Sequence, residues 1–196
     1  MTTPITLSCD DIKESAARCA EILRAPGAVA LVPTETVYGL VARVEDKAAY
    51  NKIFELKQRS AAKVLGWFVS DWRTLSDYGV TLSGLPEQLA EKYCPGPVTI
   101  IAPARNGTTL GFRSPDHPFL RELLKLTGPL FQTSANLSGA PDPKDIETAL
   151  KELSGAPAIA VDGGRLPDDA AGSTVVDATG TEIKILRQGK LQVTLP

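Results

Sequence analysis

Ala28-Val29-Ala30-Leu31-Val32 runs without a break into Pro33-Thr34-Glu35-Thr36-Val37-Tyr38-Gly39-Leu40, AVALV and then PTETVYGL. The five apolar residues read as a buried strand. A proline has no N–H to give to a sheet ladder, so the strand stops at Pro33 and hands over to a loop at its carboxyl end. In open α/β sheets that edge is where ligands bind. Two hydroxyls and a carboxylate crowd this loop. Thr34 and Thr36 either cap a following helix or close a turn, or they face a ligand, and the loop alone leaves both readings open.

Working outward, Ile12, Ala16, Cys19, Ala20 and Leu23 form one helical stripe over Asp10 to Leu23, ended by Pro26-Gly27. Beyond the loop a helix is expected from Asp46 to Leu56, a strand from Val64 to Val69 and a helix from Leu85 to Tyr93. Val98 to Ala102 reads as a central strand, with Leu110 to Arg113 as its partner. A helix from Pro118 to Leu126, a strand from Pro129 to Gln132, a polar loop from Thr133 to Gly139 and a helix from Lys144 to Leu153 follow. Short strands at 158–161, 173–177 and 182–187 complete the pattern. Mixed strands and helices, with some neighbours close enough to pair antiparallel, predict an α/β fold: a twisted mixed sheet with flanking helices. Gly163 to Gly172 has little apolar anchorage and reads as a surface connection or as a flap over a site.

The 196 residues are 43% hydrophobic and 22% charged, enough for one compact domain with a cleft, taken as residues 1–196. A net charge of −2 excludes holding nucleic acid by bulk electrostatics and leaves room for a local basic cleft. Cys9, Cys19 and Cys94 are too few and too scattered for a disulfide framework or a metal site, so no metal is expected and burial is their default role. No apolar run approaches the roughly 20 residues that span a bilayer, and no leader is legible, so a cytoplasmic address without membrane contact is expected. With His117 as the single histidine, triad and multi-histidine chemistry would have to be built around one residue. It sits before Pro118, as a helix-start residue or as a ligand contact.

The polar groups that end these elements share a chemistry. Thr34 follows the first strand and Lys57-Gln58-Arg59 the second helix. Arg113, Ser134-Ala135-Asn136-Leu137-Ser138-Gly139, Ser173-Thr174 and Arg187 lie on or after later strands. Cations and small hydrogen-bonding side chains in that number suit a polyanion such as a nucleoside triphosphate. Neither a Walker A loop nor G-x-G-x-x-G is present, so side chains would replace the glycine cradle.

PTETVYGL, Lys57-x-Arg59, Tyr93-Cys94-Pro95-Gly96-Pro97-Val98-Thr99, Arg113-Ser114-Pro115-Asp116-His117-Pro118, SANLSG at 134–139, Ser173-Thr174-Val175-Val176-Asp177 and Leu186-Arg187-Gln188-Gly189 stand in one order and spacing. In this the chain resembles the threonylcarbamoyl-AMP synthase family, also called Sua5/YciO/YrdC, in its short bacterial single-domain form. The resemblance implies a YrdC-like fold around a positively charged cleft. It also implies a nucleotidyltransferase that makes threonylcarbamoyl-AMP and pyrophosphate from ATP, L-threonine and bicarbonate, with Mg2+ arriving on the ATP. A separate threonylcarbamoyl transferase complex would carry the product to tRNA, which the chain itself would also contact.

By the same resemblance, Thr34, Arg113 and Ser173 correspond to amino-acid-substrate and cleft residues. Lys57 and Arg59 correspond to the catalytic pair on the triphosphate, and Ser134, Asn136 and Arg187 to further nucleotide contacts. Hydroxyl selection by Thr34 and Ser173 would rank threonine above serine and serine above valine. The chain departs from the family at Ser60, where proline is common, and at Val41, where glycine is common. A noncatalytic RNA- or nucleotide-binding member is the alternative. A carbamoyl-phosphate-dependent relative would sit in a larger chain with zinc-finger-like segments.

Overall fold

The computed structural model describes residues 4–58 and 64–194. Arg59 and Ser60, singled out in the sequence, lie outside the described residues.

Among the described residues, ten strands form one mixed sheet, in the order β1-β8-β2-β3-β7-β4-β6-β5-β9-β10. In chain order these are β1 (Ile5–Ser8), β2 (Ala30–Val32), β3 (Gly39–Arg43), β4 (Gly66–Phe68), β5 (Val98–Pro103), β6 (Thr109–Arg113), β7 (Leu130–Ser134), β8 (Ile159–Asp162), β9 (Thr174–Asp177) and β10 (Lys184–Arg187). Five α-helices accompany them among the described residues: α1 (Ile12–Ile22), α2 (Lys47–Lys57), α3 (Leu85–Tyr93), α4 (Pro118–Thr127) and α5 (Ile146–Glu152). Aspartates start three of these. Asp11, Asp46 and Asp145 each accept a backbone N–H of the first turn, from Glu14, Ala49 and Thr148. His117 is the residue before α4, with Pro118 at the first helical position, but its side chain makes no capping bond.

The opening loop is a hairpin turn. Instead of leading to a helix, PTETVYGL returns the chain antiparallel onto β2, with Leu31 opposite Leu40 and Val32 opposite Gly39. Thr34 closes it: its Oγ1 accepts the N–H of Thr36 at 2.9 Å and of Val37 at 3.0 Å and donates to Val37 O at 2.7 Å. A Cβ on Gly39 would stand 3.1 Å from Thr133 O, so β3 and β7 approach there as glycine permits. Val41, the departure noted in the sequence, is fully buried in the core.

Side-chain parity along the strands divides the molecule. Ala30, Val32, Val41 and Phe68 face α1 and α4, whereas Leu31, Leu40 and Ala42 face α2 and α5. Strands β5, β6 and β9 bury Val98, Ile100, Leu110, Phe112 and Val176 against Leu89 and Ala90 of α3 and against Trp72 and Leu75 of a 3-10 segment. The residues of opposite parity, Thr99, Arg113, Ser173 and Val175, line a cavity. That alternation makes a polar site on strands whose other face is core.

Candidate functional site

The cavity encloses 370 Å3, within the range of small-ligand sites. Lys57 from the end of α2, Ser134 at the end of β7 and Asn136 just after it, Arg113 from β6, Ser173 before β9 and Arg187 from β10 all reach it, together with Thr36, Thr99 and Gln132. Three cations and no carboxylate are thus gathered among its described lining residues. No group of three His, Cys, Asp or Glu side chains among the described residues is placed to hold a metal.

Lys57 is buried, and its ammonium donates to the carbonyls of Ser134 and Asn136 and to Asn136 Oδ1 at 3.2 Å. Asn136 Oδ1 also accepts Ser134 Oγ at 2.5 Å, and Asn136 Nδ2 donates to Ala140 O. The SAN loop is therefore folded around one lysine. Arg113 is held by two consecutive residues of the hairpin turn. Its Nη1 donates to Thr36 Oγ1 at 2.9 Å, and its Nη2 lies 2.7 Å from Glu35 Oε1. Glu35 Oε1 also accepts the N–H of Asp116 at 3.0 Å, so the acid fastens the loop that follows Arg113. Arg187 donates from Nε to Ser173 O at 3.0 Å and from Nη2 to Ser173 Oγ at 3.2 Å, while Thr99 Oγ1 shares Ser173 Oγ at 2.7 Å. A Cβ at Gly189 would fall 2.4 Å from Gly172 O, so the chain after Arg187 packs against the cavity rim only as glycine.

Seven of the eight residues singled out in the sequence are described. Six of these line the cavity. Thr34 stands behind it, 3% exposed, with its hydroxyl committed to the turn and to Thr36 Oγ1 at 2.8 Å. The structure brings Thr36 to the wall in its place. Glu35, Thr36 and Thr99 went unassigned in the sequence. The first two lay inside the quoted motif, and Thr99 was legible as the hydroxyl alternating with Val98 and Ile100.

His117 is held below its ordinary pKa, first by burial and then by Arg113, with Glu35 and Asp116 pulling the other way. Burial drives Cys94 up to about 11. The 163–172 segment is fastened at several points. Tyr38 Oη donates to Gly164 O at 2.7 Å and accepts Gly163 N–H at 3.0 Å, Leu166 N–H reaches Lys144 O at 2.7 Å, and Arg165 pairs with Asp145 at 2.9 Å.

The family model Sua5/YciO/YrdC, described as "Telomere recombination", matches residues 21–189. A Mycobacterium tuberculosis relative is 32% identical over 199 residues, 94% of this chain and 89% of that one. Human threonylcarbamoyl-AMP synthase is 35% identical over 166 residues, 77% of this chain and 58% of that one. Pyrococcus abyssi Sua5 complexed with L-threonine superposes with a TM-score of 0.81 at 29% identity, over 97% of this chain and 58% of that one.

Proposed function

The chain belongs to the Sua5/YciO/YrdC family, and from that premise we infer that it is an L-threonylcarbamoyladenylate synthase, like the synthases it is similar to. The observation that carries the reading is the meeting of Lys57, Arg113 and Arg187 with hydroxyl and amide side chains in one cavity free of carboxylates among its described lining residues. Such a wall suits a triphosphate and an amino-acid carboxylate together.

The threonine amine and bicarbonate combine to a carbamate with loss of water, or the amine adds to CO2 derived from bicarbonate and gives up one proton. A carbamate oxygen then bonds to the α-phosphorus while the bond to pyrophosphate breaks. Charge gathers on phosphate oxygens, where the cations of the wall stabilise it. Lys57 holds the SAN loop in shape beside the nucleotide, with Arg187 and Arg59 as further phosphate partners. Arg113 takes the amino-acid end, and Ser173 orients Arg187. Mg2+ enters as part of the Mg·ATP substrate, because the ion prefers phosphate oxygens and water to a cavity of hydroxyls and amides.

The mixed anhydride product is reactive and needs a consumer, a threonylcarbamoyl transferase complex acting on tRNA. Cytoplasmic location and direct contact with tRNA belong to the same proposal. The engagement of the Lys57 ammonium by loop carbonyls favours one second reading, a noncatalytic nucleotide- or RNA-binding protein. Pyrophosphate release from ATP, with threonine and bicarbonate each omitted in turn, separates them. Release that depends on both supports the synthase. ATP binding with no threonine-dependent release supports the binding protein.

A further inference from the structure

Val37, in the turn before β3, and Val175, on β9, line the same cavity of 370 Å3. Their strands stand five places apart in the sheet, which would be about 24 Å if the sheet were flat. The sheet therefore curls, and the cavity lies between its two halves. The connection from Asp162 at the end of β8 to Thr174 at the start of β9 crosses from the half that carries the hairpin to the half that carries Arg187. It acts as a strap, and its last residues, Gly172 and Ser173, belong to the cavity wall.

The hairpin motif holds the start of that strap. Thr34 closes the turn, Glu35 and Thr36 hold Arg113, and Tyr38, the fourth polar side chain of the motif, turns away from both tasks. Its ring is fully buried. Its proton goes to Gly164 O at 2.7 Å, because Asp162 Oδ1 lies farther off at 3.3 Å and already takes Gly164 N–H at 2.8 Å. Gly163 N–H donates to the same hydroxyl at 3.0 Å. A Cβ on Gly163 would stand 2.5 Å from Pro33 Cβ, so the strap also lies directly against the first residue of the motif. Burial raises the Tyr38 phenol to about 12, and its proton is present throughout the neutral range.

Lys144 holds the middle. Its carbonyl accepts Leu166 N–H at 2.7 Å, its ammonium donates to Ala170 O, and Ala170 N–H closes a turn on Pro167 O at 2.9 Å. Between this braced turn and the hairpin residues Glu35 and Thr36 lies a space of 140 Å3. The strap is thus pinned to the hairpin at its start and stands off from it farther along.

We propose that Tyr38 is a positioning residue for the reaction: its hydroxyl pins the strap to the hairpin, and the strap sets the spacing between the wall of Thr36 and Arg113 and the wall of Ser173 and Arg187. Each wall is bonded within itself, Thr36 to Arg113 and Ser173 to Arg187 and Thr99, so capture of either substrate does not need Tyr38. Alignment of the carbamate with the α-phosphate does need it, and a misplacement of about 1 Å there costs about 100-fold in rate. The assignment rests on the synthase reading.

Tyr38→Phe keeps the buried ring and removes only the hydroxyl. In pyrophosphate release kcat is expected to fall about tenfold, with KM for ATP and for threonine each within about threefold. Amide hydrogen exchange should rise about tenfold in the 163–172 strap and stay within about twofold in the hairpin. Lys144→Met loosens the strap from outside the main cavity and should lower kcat at least about threefold with the same pattern. Leu123→Ala, in the core beside α1, lowers the melting point without reaching the strap and should keep wild-type kcat well below that temperature.

A kcat for Tyr38→Phe within about threefold of wild type overturns the proposal, as does unchanged exchange in the strap. An equal loss of kcat in Leu123→Ala overturns it too, since stability alone would then explain the effect. Wild-type protein without threonine-dependent release would refute the synthase reading and the alignment with it. Threonine-dependent wild-type release beside an unimpaired Tyr38→Phe would refute the role of Tyr38 alone.

Discussion

Replacing Lys57 by methionine removes an ammonium and keeps most of the buried stem. Three acceptors that it serves, Ser134 O, Asn136 O and Asn136 Oδ1, belong to the SAN loop. Each hydrogen bond to a charged group contributes about 1.5–3 kcal/mol when its partner is stranded, but these acceptors border a cavity that water can enter, so about 1 kcal/mol each is the better figure. The sum, about 3 kcal/mol, corresponds to a melting point about 6–12 °C lower for a domain of this size. Activity should fall further than folding explains, because a charge placed where phosphate charge develops is worth about 2–4 kcal/mol, or roughly 30- to 1000-fold in rate. Differential scanning fluorimetry reads the first number and pyrophosphate release at saturating ATP, well below the new melting point, reads the second. An unshifted melting point would mean that the ammonium does not hold the loop. Full activity at a lowered melting point would mean that Lys57 is scaffold alone.

Arg113→Lys supplies one point charge where a fork spans Thr36 Oγ1 and Glu35 Oε1; kcat/KM for threonine should drop about 100-fold, and a loss under about threefold would refute the role. Burial raises Cys9 and Cys94 to about 11 from 9.0, so alkylation of native protein near pH 8 should run about 100-fold slower than for a free thiol at its model value, and thiol reactivity at the free rate would contradict the burial. His117 has a folded pKa below its unfolded one, so the unfolded chain takes up its proton first as pH falls through about 6.5 and stability is lost on the acid side. His117→Gln should therefore flatten the melting-point decline between about pH 7.5 and 5.5, and an unchanged slope would remove His117 as its cause.

The elements with a clear period were legible. The stripe from Ile12 to Leu23, the pairing of Val98–Ala102 with Leu110–Arg113 and the start of α4 after His117 all stand in the structure. Strand β3 was not. Gly39 to Ala42 is buried between two helical layers, so it lacks the polar alternation of a half-exposed strand and reads as the tail of a polar motif. β1 failed for the opposite reason: Ile5–Ser8 is mostly exposed, and only pairing with β8 makes it a strand. The 3-10 segment Trp72–Tyr78 has no period of its own and is fixed by Trp72 and Leu75 in the core beside α3.

Thr34 shows where a motif stops carrying functional information. PTETVYGL has four side chains with polar atoms, Thr34, Glu35, Thr36 and Tyr38, and nothing in its letters says which are used up in making the turn. Geometry decides it by counting. A threonine hydroxyl has one proton and two lone pairs. Thr34 gives its proton to Val37 O and meets the N–H groups of Thr36 and Val37, which leaves nothing for a substrate. Thr36 gains its place on the wall through that arrangement, since its oxygen takes Arg113. Glu35, between them, has two oxygens and needs only one for the scaffold. Replacing Thr34 should therefore disturb the turn, and with it Thr36 and Arg113 together.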